Sequence, residues 1–349
     1  VGSEWMPLSA FFVYIAVQWW AAWYPGAEPG GGGYIAQRIF SAKDEKHSLL
    51  ATLWFNIAHY ALRPWPWIIV ALVSMALYPN LADKESGYVK VMVEHMPVGF
   101  LGLMVAAFMA AFMSTISTQL NWGSSYLIND FYRRFLVKNA SERHYVWASR
   151  WATVLTMIIA AVVTLFLNTI SGAWRFLLAL GAGTGSVYIL RWYWWRINAW
   201  SEIAAMTASF VTAVGLQTFG GLSTEKPGQF AVVMLITVGV STLTWVVVTL
   251  LTPPESKETL HSFYRRVHPG GIGWAPVQRE LGIQPKEALW RDFVDWVAGC
   301  VLVYASLFGI GKLILGATGL GLVYLAVAAV GAVIIYRDLS SRGWESLAE

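Results

Sequence analysis

Nine stretches of this chain are each long and apolar enough to cross a hydrocarbon core of about 30 Å as an α-helix, which takes roughly 20 apolar residues. They cover residues 6–24 (continuing past a break to about 41), 48–78, 97–128, 147–168, 173–190, 202–220, 229–251, 293–315 and 318–336. None alternates with the period of two that a barrel strand needs, so helices are the spanning form open to them. Composition agrees: 57% of the residues are hydrophobic and 13% charged, about half the charged fraction of a soluble domain. A disordered, collagen-like or disulfide-stapled chain is excluded. What remains is an all-α, polytopic membrane helix bundle whose first partner is the lipid bilayer.

The placement of charge orients the bundle. Alternate loops carry Arg38, Lys43, Lys46; Arg133, Arg134, Lys138, Arg143; Arg191, Arg196; Lys257, Arg265, Arg266, Arg279, Lys286, Arg291; and Arg337, Arg342, while the opposite loops carry Lys84, Lys90 and Lys226. By the positive-inside rule the C-terminus is cytoplasmic, and in a bacterial cell the chain belongs in the inner membrane. The formal charge of +4 is thus a topology signal and calls for no nucleic-acid partner. Residues 253–292, with Pro253-Pro254 and Pro269-Gly270-Gly271, read as a cytoplasmic connector too short for a folded domain. Glycines 319, 321 and 331 in the last span read as packing positions.

Polar residues inside the spans mark where chemistry sits. The string Trp23-Tyr24-Pro25-Gly26-Ala27-Glu28-Pro29-Gly30 and its three following glycines cannot hold an α-helix. Either the first helix is interrupted within the membrane, where freed backbone is tolerated beside a cavity or ligand, or it ends at Tyr24 in a tether. Glu28 then faces a polar interior in the first case and solvent in the second. Asn56, His59 and Arg63, spaced i, i+3 and i+7, form a polar stripe on one helical face. Pro64 and Pro66 follow, whose freed carbonyls Arg63 is equally placed to cap. Ser114, Thr115 and Thr118 offer hard oxygen ligands for a small cation, or simply bond back along their own helix. Arg175 either snorkels to the surface or points into a cavity. The run Gly181-Ala182-Gly183-Thr184-Gly185 allows close helix approach. No HExxH, nucleophile elbow or paired carboxylate set is present, and Cys300 is alone, so an enzyme is not expected.

Three strings are similar to one known family. Tyr34-Ile35-Ala36-Gln37-Arg38 resembles the segment after the broken sixth core helix of the sodium–solute symporters. The stretch from Pro97-Val98-Gly99 through Ser114-Thr115 to Asn129-Asp130-Phe131-Tyr132-Arg133-Arg134 resembles the eighth, and Trp195-Arg196-Ile197-Asn198 the turn after the tenth. The resemblance implies a core of two inverted five-helix repeats, of which this chain carries the second. On that frame residues 1–201 are core helices six to ten, and 202–252 are peripheral helices. The connector 253–292 and the C-terminal helices 293–349 follow.

The resemblance further implies sodium as the coupling ion, held by the Ala111 carbonyl and the Ser114 and Thr115 hydroxyls, with Thr118 one turn on. It places Trp23 and Tyr24 near a gate and His59 and Arg175 at solute contacts. Glu28 in a longer break, and Arg63 with His59 and Arg175, depart from the sugar carriers' pattern, and Asn56 joins the solute side from the polar stripe. The expected activity is sodium-coupled symport of a small-molecule solute by alternating access. Two arginines and a histidine lean the solute towards an organic or sugar acid. A neutral sugar or amino acid, or a sensor built on a transporter-like body, are the alternatives.

Overall fold

The structure, a computed structural model, describes residues 6–22, 39–167, 169–283 and 289–342. Among them there are helices and turns and no strand. The helices are α1 (Leu8–Ala21), α2 (Glu45–Leu77), α3 (Gly87–His95), α4 (Val98–Leu136), α5 (Glu142–Thr164), α6 (Ile170–Gly181) and α7 (Thr184–Leu190). Then come α8 (Ala199–Thr218), α9 (Pro227–Leu251), α10 (Lys257–Val267), α11 (Ala275–Leu281), α12 (Leu289–Ile314) and α13 (Thr318–Arg342). Their starts follow local chemistry. Asp44 caps α2 by accepting from the His47 amide at 2.8 Å, and those hydrogen bonds hold its carboxyl below the usual carboxylate range. Asn198 and Ser201 form a reciprocal capping box on α8, each accepting from the other's amide at 3.1 Å. Pro227 sits at the first turn of α9, where its missing N–H costs nothing.

Among the described residues seven helices (α2, α4, α5, α8, α9, α12 and α13) are long and apolar enough to cross a membrane, and α6 with α7 makes an eighth as a pair bent by 50°. Two of the nine expected spans therefore differ. The first is represented by α1, about 21 Å long at 1.5 Å per residue, and the expected break at 25–33 lies outside the described residues. The fifth, expected as one run, is broken at Ala182–Gly183, where Gly183 adopts φ +98°, a conformation a side chain resists. Among the described residues three stretches are π-helical: Tyr14–Gln18 in α1, Ile57–Leu62 in α2 and Tyr126–Leu136 in α4.

The chain divides into two compact units, one of Val1–Trp67 and Trp174–Glu349, the other of Ile68–Ala173. In the first unit α8 and α9 lie against one another with buried hydroxyls between them. Ser241 Oγ donates to Ala205 O at 3.0 Å, and Thr249 Oγ1 donates to Ser201 Oγ at 2.6 Å. Small polar residues let backbones approach where lipid supplies no hydrophobic drive. The same principle joins α12 to α13: Gly321 and Gly331 are buried, and a Cβ at 331 would stand 2.9 Å from Ala298 O. Charges close that hairpin at one end. Arg342 reaches Asp292 at 2.5 Å and Asp338 at 2.6 Å, and Arg291 reaches Asp338 at 2.7 Å. The connector is more than a linker: Leu260, Tyr264, Trp274 and Val277 of α10, α11 and the turn between them form a small core with Trp195 packed on it.

In the second unit α4 packs beside α5, while none of the most apolar stretch of either helix is buried.

Candidate functional site

The residues expected to meet a solute fall into separate settings. Trp23, Tyr24 and Glu28 lie outside the described residues. The wide π turn of α2 distributes its polar stripe in two directions. Asn56 donates to Thr52 O at 2.9 Å and lines a cavity of about 450 Å³ with Leu53, Tyr60, Trp296, Cys300 and Tyr304. His59 instead stacks on Phe55, ring centroids 4.9 Å apart, with its Nε2 3.4 Å from an Arg63 nitrogen. The Arg63 guanidinium also lies 4.8 Å over the Trp67 ring, an attraction to the ring's negative face. Arg63 is thus held between two aromatic groups rather than capping the carbonyls ahead of the prolines. Arg175 donates to the Glu225 carbonyl, tying α6 to the turn before α9.

The residues expected to hold a cation lie on α4. Ala111, Ser114 and Thr115 are exposed and Thr118 half-buried. Thr118 Oγ1 donates to Ser114 O at 2.8 Å, the back-bond common in membrane helices. Ser117, Thr118 and Asn121 continue the polar positions of Ser114 and Thr115 along the helix, and hydroxyl oxygens are hard donors of the kind that suits small hard cations. Among the described residues no three His, Cys, Asp or Glu side chains converge as a metal site.

A second structured locus, missed at the level of sequence, lies at the α6–α7 bend. Ser209 Oγ lies within hydrogen-bond distance of both Leu180 O, at 2.6 Å, and Ala182 O, which share its one proton, and Gly183 N donates to Ala21 O at 3.3 Å. Trp245 Nε1 donates to Ser186 Oγ at 3.0 Å. The breaking of a helix leaves orphan backbone groups, and here α8 and α1 supply their partners. Gly185 permits the approach, since a Cβ there would collide with the Trp20 and Ala21 carbonyls. The glycine run signalled close packing; nothing in it signalled that Ser209, from another helix, would complete the bonds.

Fold and site together define a multi-pass helical membrane protein with a broken span and an oxygen-rich helix. The family model of the sodium:solute symporters matches residues 11–211, more than half of the chain, and the chain belongs to that family. It is similar to the high-affinity proline transporter PutP of Bacillus subtilis, 34% identical over 153 residues, 41% of this chain and 31% of that protein. It is similar also to the sodium/proline symporter of Escherichia coli, 27% identical over 209 residues (55% and 41%). The sodium/glucose cotransporter of Vibrio parahaemolyticus is 24% identical over 261 residues (69% and 47%). The chain spans less than half the length of these curated relatives. No solved structure matches it.

Proposed function

We propose that this chain is the second half of a sodium-coupled symporter for a small organic solute, working by alternating access in the inner membrane with its C-terminus cytoplasmic. Residues 1–201 are the second inverted repeat, 202–252 peripheral helices, 253–292 a cytoplasmic connector and 293–349 a closing hairpin and tail. The observation that carries the reading is the Ser114–Thr115 hydroxyl pair, exposed on α4 in a helix apolar enough to span. Hydroxyls on such a face gain most from a cation and from oxygen atoms of a facing helix. In this reading sodium binds the Ala111 carbonyl and the Ser114 and Thr115 hydroxyls, with Thr118 beside them. Its entry, driven by about 2.3 kcal/mol per charge per 100 mV, favours the state that accepts solute from outside. Rocking of one repeat against the other then opens the pair to the cytoplasm.

His59, Arg63 and Arg175 are the cationic and imidazole groups of the solute side, with Asn56, Trp23, Tyr24 and Glu28, and they support an organic or sugar acid. A second reading, a neutral solute, has its own support: Arg63 and Arg175 are already engaged by Trp67 and by the Glu225 carbonyl, and the relatives are named for proline and glucose.

The test is uptake into vesicles by the intact symporter bearing Ser114→Ala with Thr115→Ala. The sodium concentration for half-maximal uptake should rise about tenfold or more, the equivalent of about 1.4 kcal/mol. An unchanged sodium dependence refutes the site. In the same vesicles, competition by carboxylates against that by neutral amino acids and sugars decides the solute class.

A further inference from the structure

We propose that Glu85 is a positioning residue that yokes segment 84–95 to the first turn of α6, so that the outer end of the bent span changes tilt only by carrying that segment along or by breaking the carboxylate's bonds. The inference rests on the alternating-access reading and on its orientation, in which this segment lies outside.

The Glu85 carboxylate accepts two backbone hydrogen bonds from far along the chain: Ile170 N to Oε2 at 3.0 Å and Ser171 N to Oε1 at 3.1 Å. Thr169 Oγ1 accepts from Gly172 N at 3.0 Å. The first amides of a helix have no carbonyl of their own helix to bond. A carboxylate there also meets the positive end of the helix dipole. Glu85 is aimed by its own turn, with its amide donating to Asp83 Oδ1 at 3.0 Å and Ser86 Oγ donating to Asp83 O at 2.7 Å.

The other side of the segment is fixed differently. Gly87 is buried against Ser74 so closely that a Cβ would overlap that hydroxyl. Tyr78 donates to Glu94 and lies 3.2 Å from His95 Nε2, and the Lys90 ammonium stands 4.3 Å over the Tyr78 ring. Beneath lies a cavity of about 490 Å³ lined by Ser74, Met75, Tyr78, Leu81, Glu85 and Tyr88. The segment is therefore seated by packing on the end of α2 and held to α6 by an exposed carboxylate. Such bonds are strong enough to register the helix and accessible enough to water to be exchanged.

The experiment uses the intact symporter in proteoliposomes, in a Cys300→Ser background with Val89→Cys as reporter. With Glu85→Ala, amide-exchange protection of Ile170 and Ser171 should fall about tenfold. Thiol labelling at position 89 should quicken, and the half-saturating solute concentration should change more than the maximal rate. Glu85→Gln, which keeps one acceptor, should fall between. Ser171→Pro removes one donor at a helical position that tolerates proline, and should add nothing to Glu85→Ala. Unchanged protection at 170 and 171 in Glu85→Ala overturns the yoke, as does an additive Ser171→Pro. A parent without sodium-driven uptake defeats the transport reading instead, while the exchange readout still decides the yoke.

Discussion

Replacing Gly185 by alanine should unseat α7 from α1. A Cβ at that position falls inside the envelope of Trp20 O and stands 2.7 Å from Ala21 O, whereas real Cβ contacts stop near 3.0 Å. Both obstacles are backbone, so no side chain can swing away to relieve them. Overpacking of this kind costs about 1–3 kcal/mol, and moving α1 away also loosens the 3.3 Å bond from Gly183 N to Ala21 O, about 1 kcal/mol more. Alanine returns roughly 0.5–1 kcal/mol through its better helix propensity. The net loss is about 1–3 kcal/mol. Gly215→Ala, in the last turn of α8 with nothing within 4 Å of its Cβ, receives part of the helix gain without the collision. Thermal melting of purified protein in detergent should therefore move in opposite directions, lower by several degrees for Gly185→Ala and level or higher for Gly215→Ala. A Gly185→Ala protein that melts at or above the parent refutes the close contact between α1 and α7.

Two further outcomes follow from charged contacts. Arg342→Ala leaves Asp292, Asp295 and Asp338 crowded at one end of the α12–α13 hairpin; with the Arg342 side chain 11% exposed and Asp338 16%, the loss should be about 2–4 kcal/mol, read as faster amide exchange along 335–342, and Arg342→Lys should recover part of it. Glu280 accepts from Lys257 Nζ at 2.9 Å and stands 3.0 Å from His261 Nε2, and these hydrogen bonds, Lys257's first, hold its carboxyl below the ordinary carboxylate range. A depressed folded value contributes stability above the unfolded one and loses it as pH falls through the folded one. The α10–α11 pair should thus loosen only in acid, by amide exchange corrected for its intrinsic pH dependence, and Glu280→Gln should remove that acid step.

The helical bundle was legible because lipid imposes one rule on long apolar runs: every backbone group must find its partner within the segment. Run length therefore located α2, α4, α5, α8, α9, α12 and α13, and packing glycines such as Gly321 and Gly331 could be read from their place in the last span. The bend within 173–190 was not legible, since Gly181-Ala182-Gly183 in sequence is equally a close-packed straight helix, and only Ser209, 26 residues beyond Gly183, makes the break stable. The connector escaped for a related reason. Its core needs Leu260, Tyr264 and Trp274 together with Trp195 from before α8, a combination that no window of the sequence contains. Of the candidate site, the Ser114–Thr115 pair and the Arg63–His59 neighbourhood were visible as residues. The parting of Asn56, which lines the cavity beside Trp296, from His59 was not, because helical spacing assumes an α turn where α2 has a π turn.

The discontinuity at Gly183 has a mechanical consequence. A kink whose two carbonyls share one serine hydroxyl of α8, and whose amide is bonded by α1, is no free joint. Its angle is indexed to two other helices, and any stroke that straightened it would have to shift those helices or exchange their bonds for water. Straightening it alone would strand those backbone groups, so the α6–α7 bend is coupled by its bonds to α1 and α8.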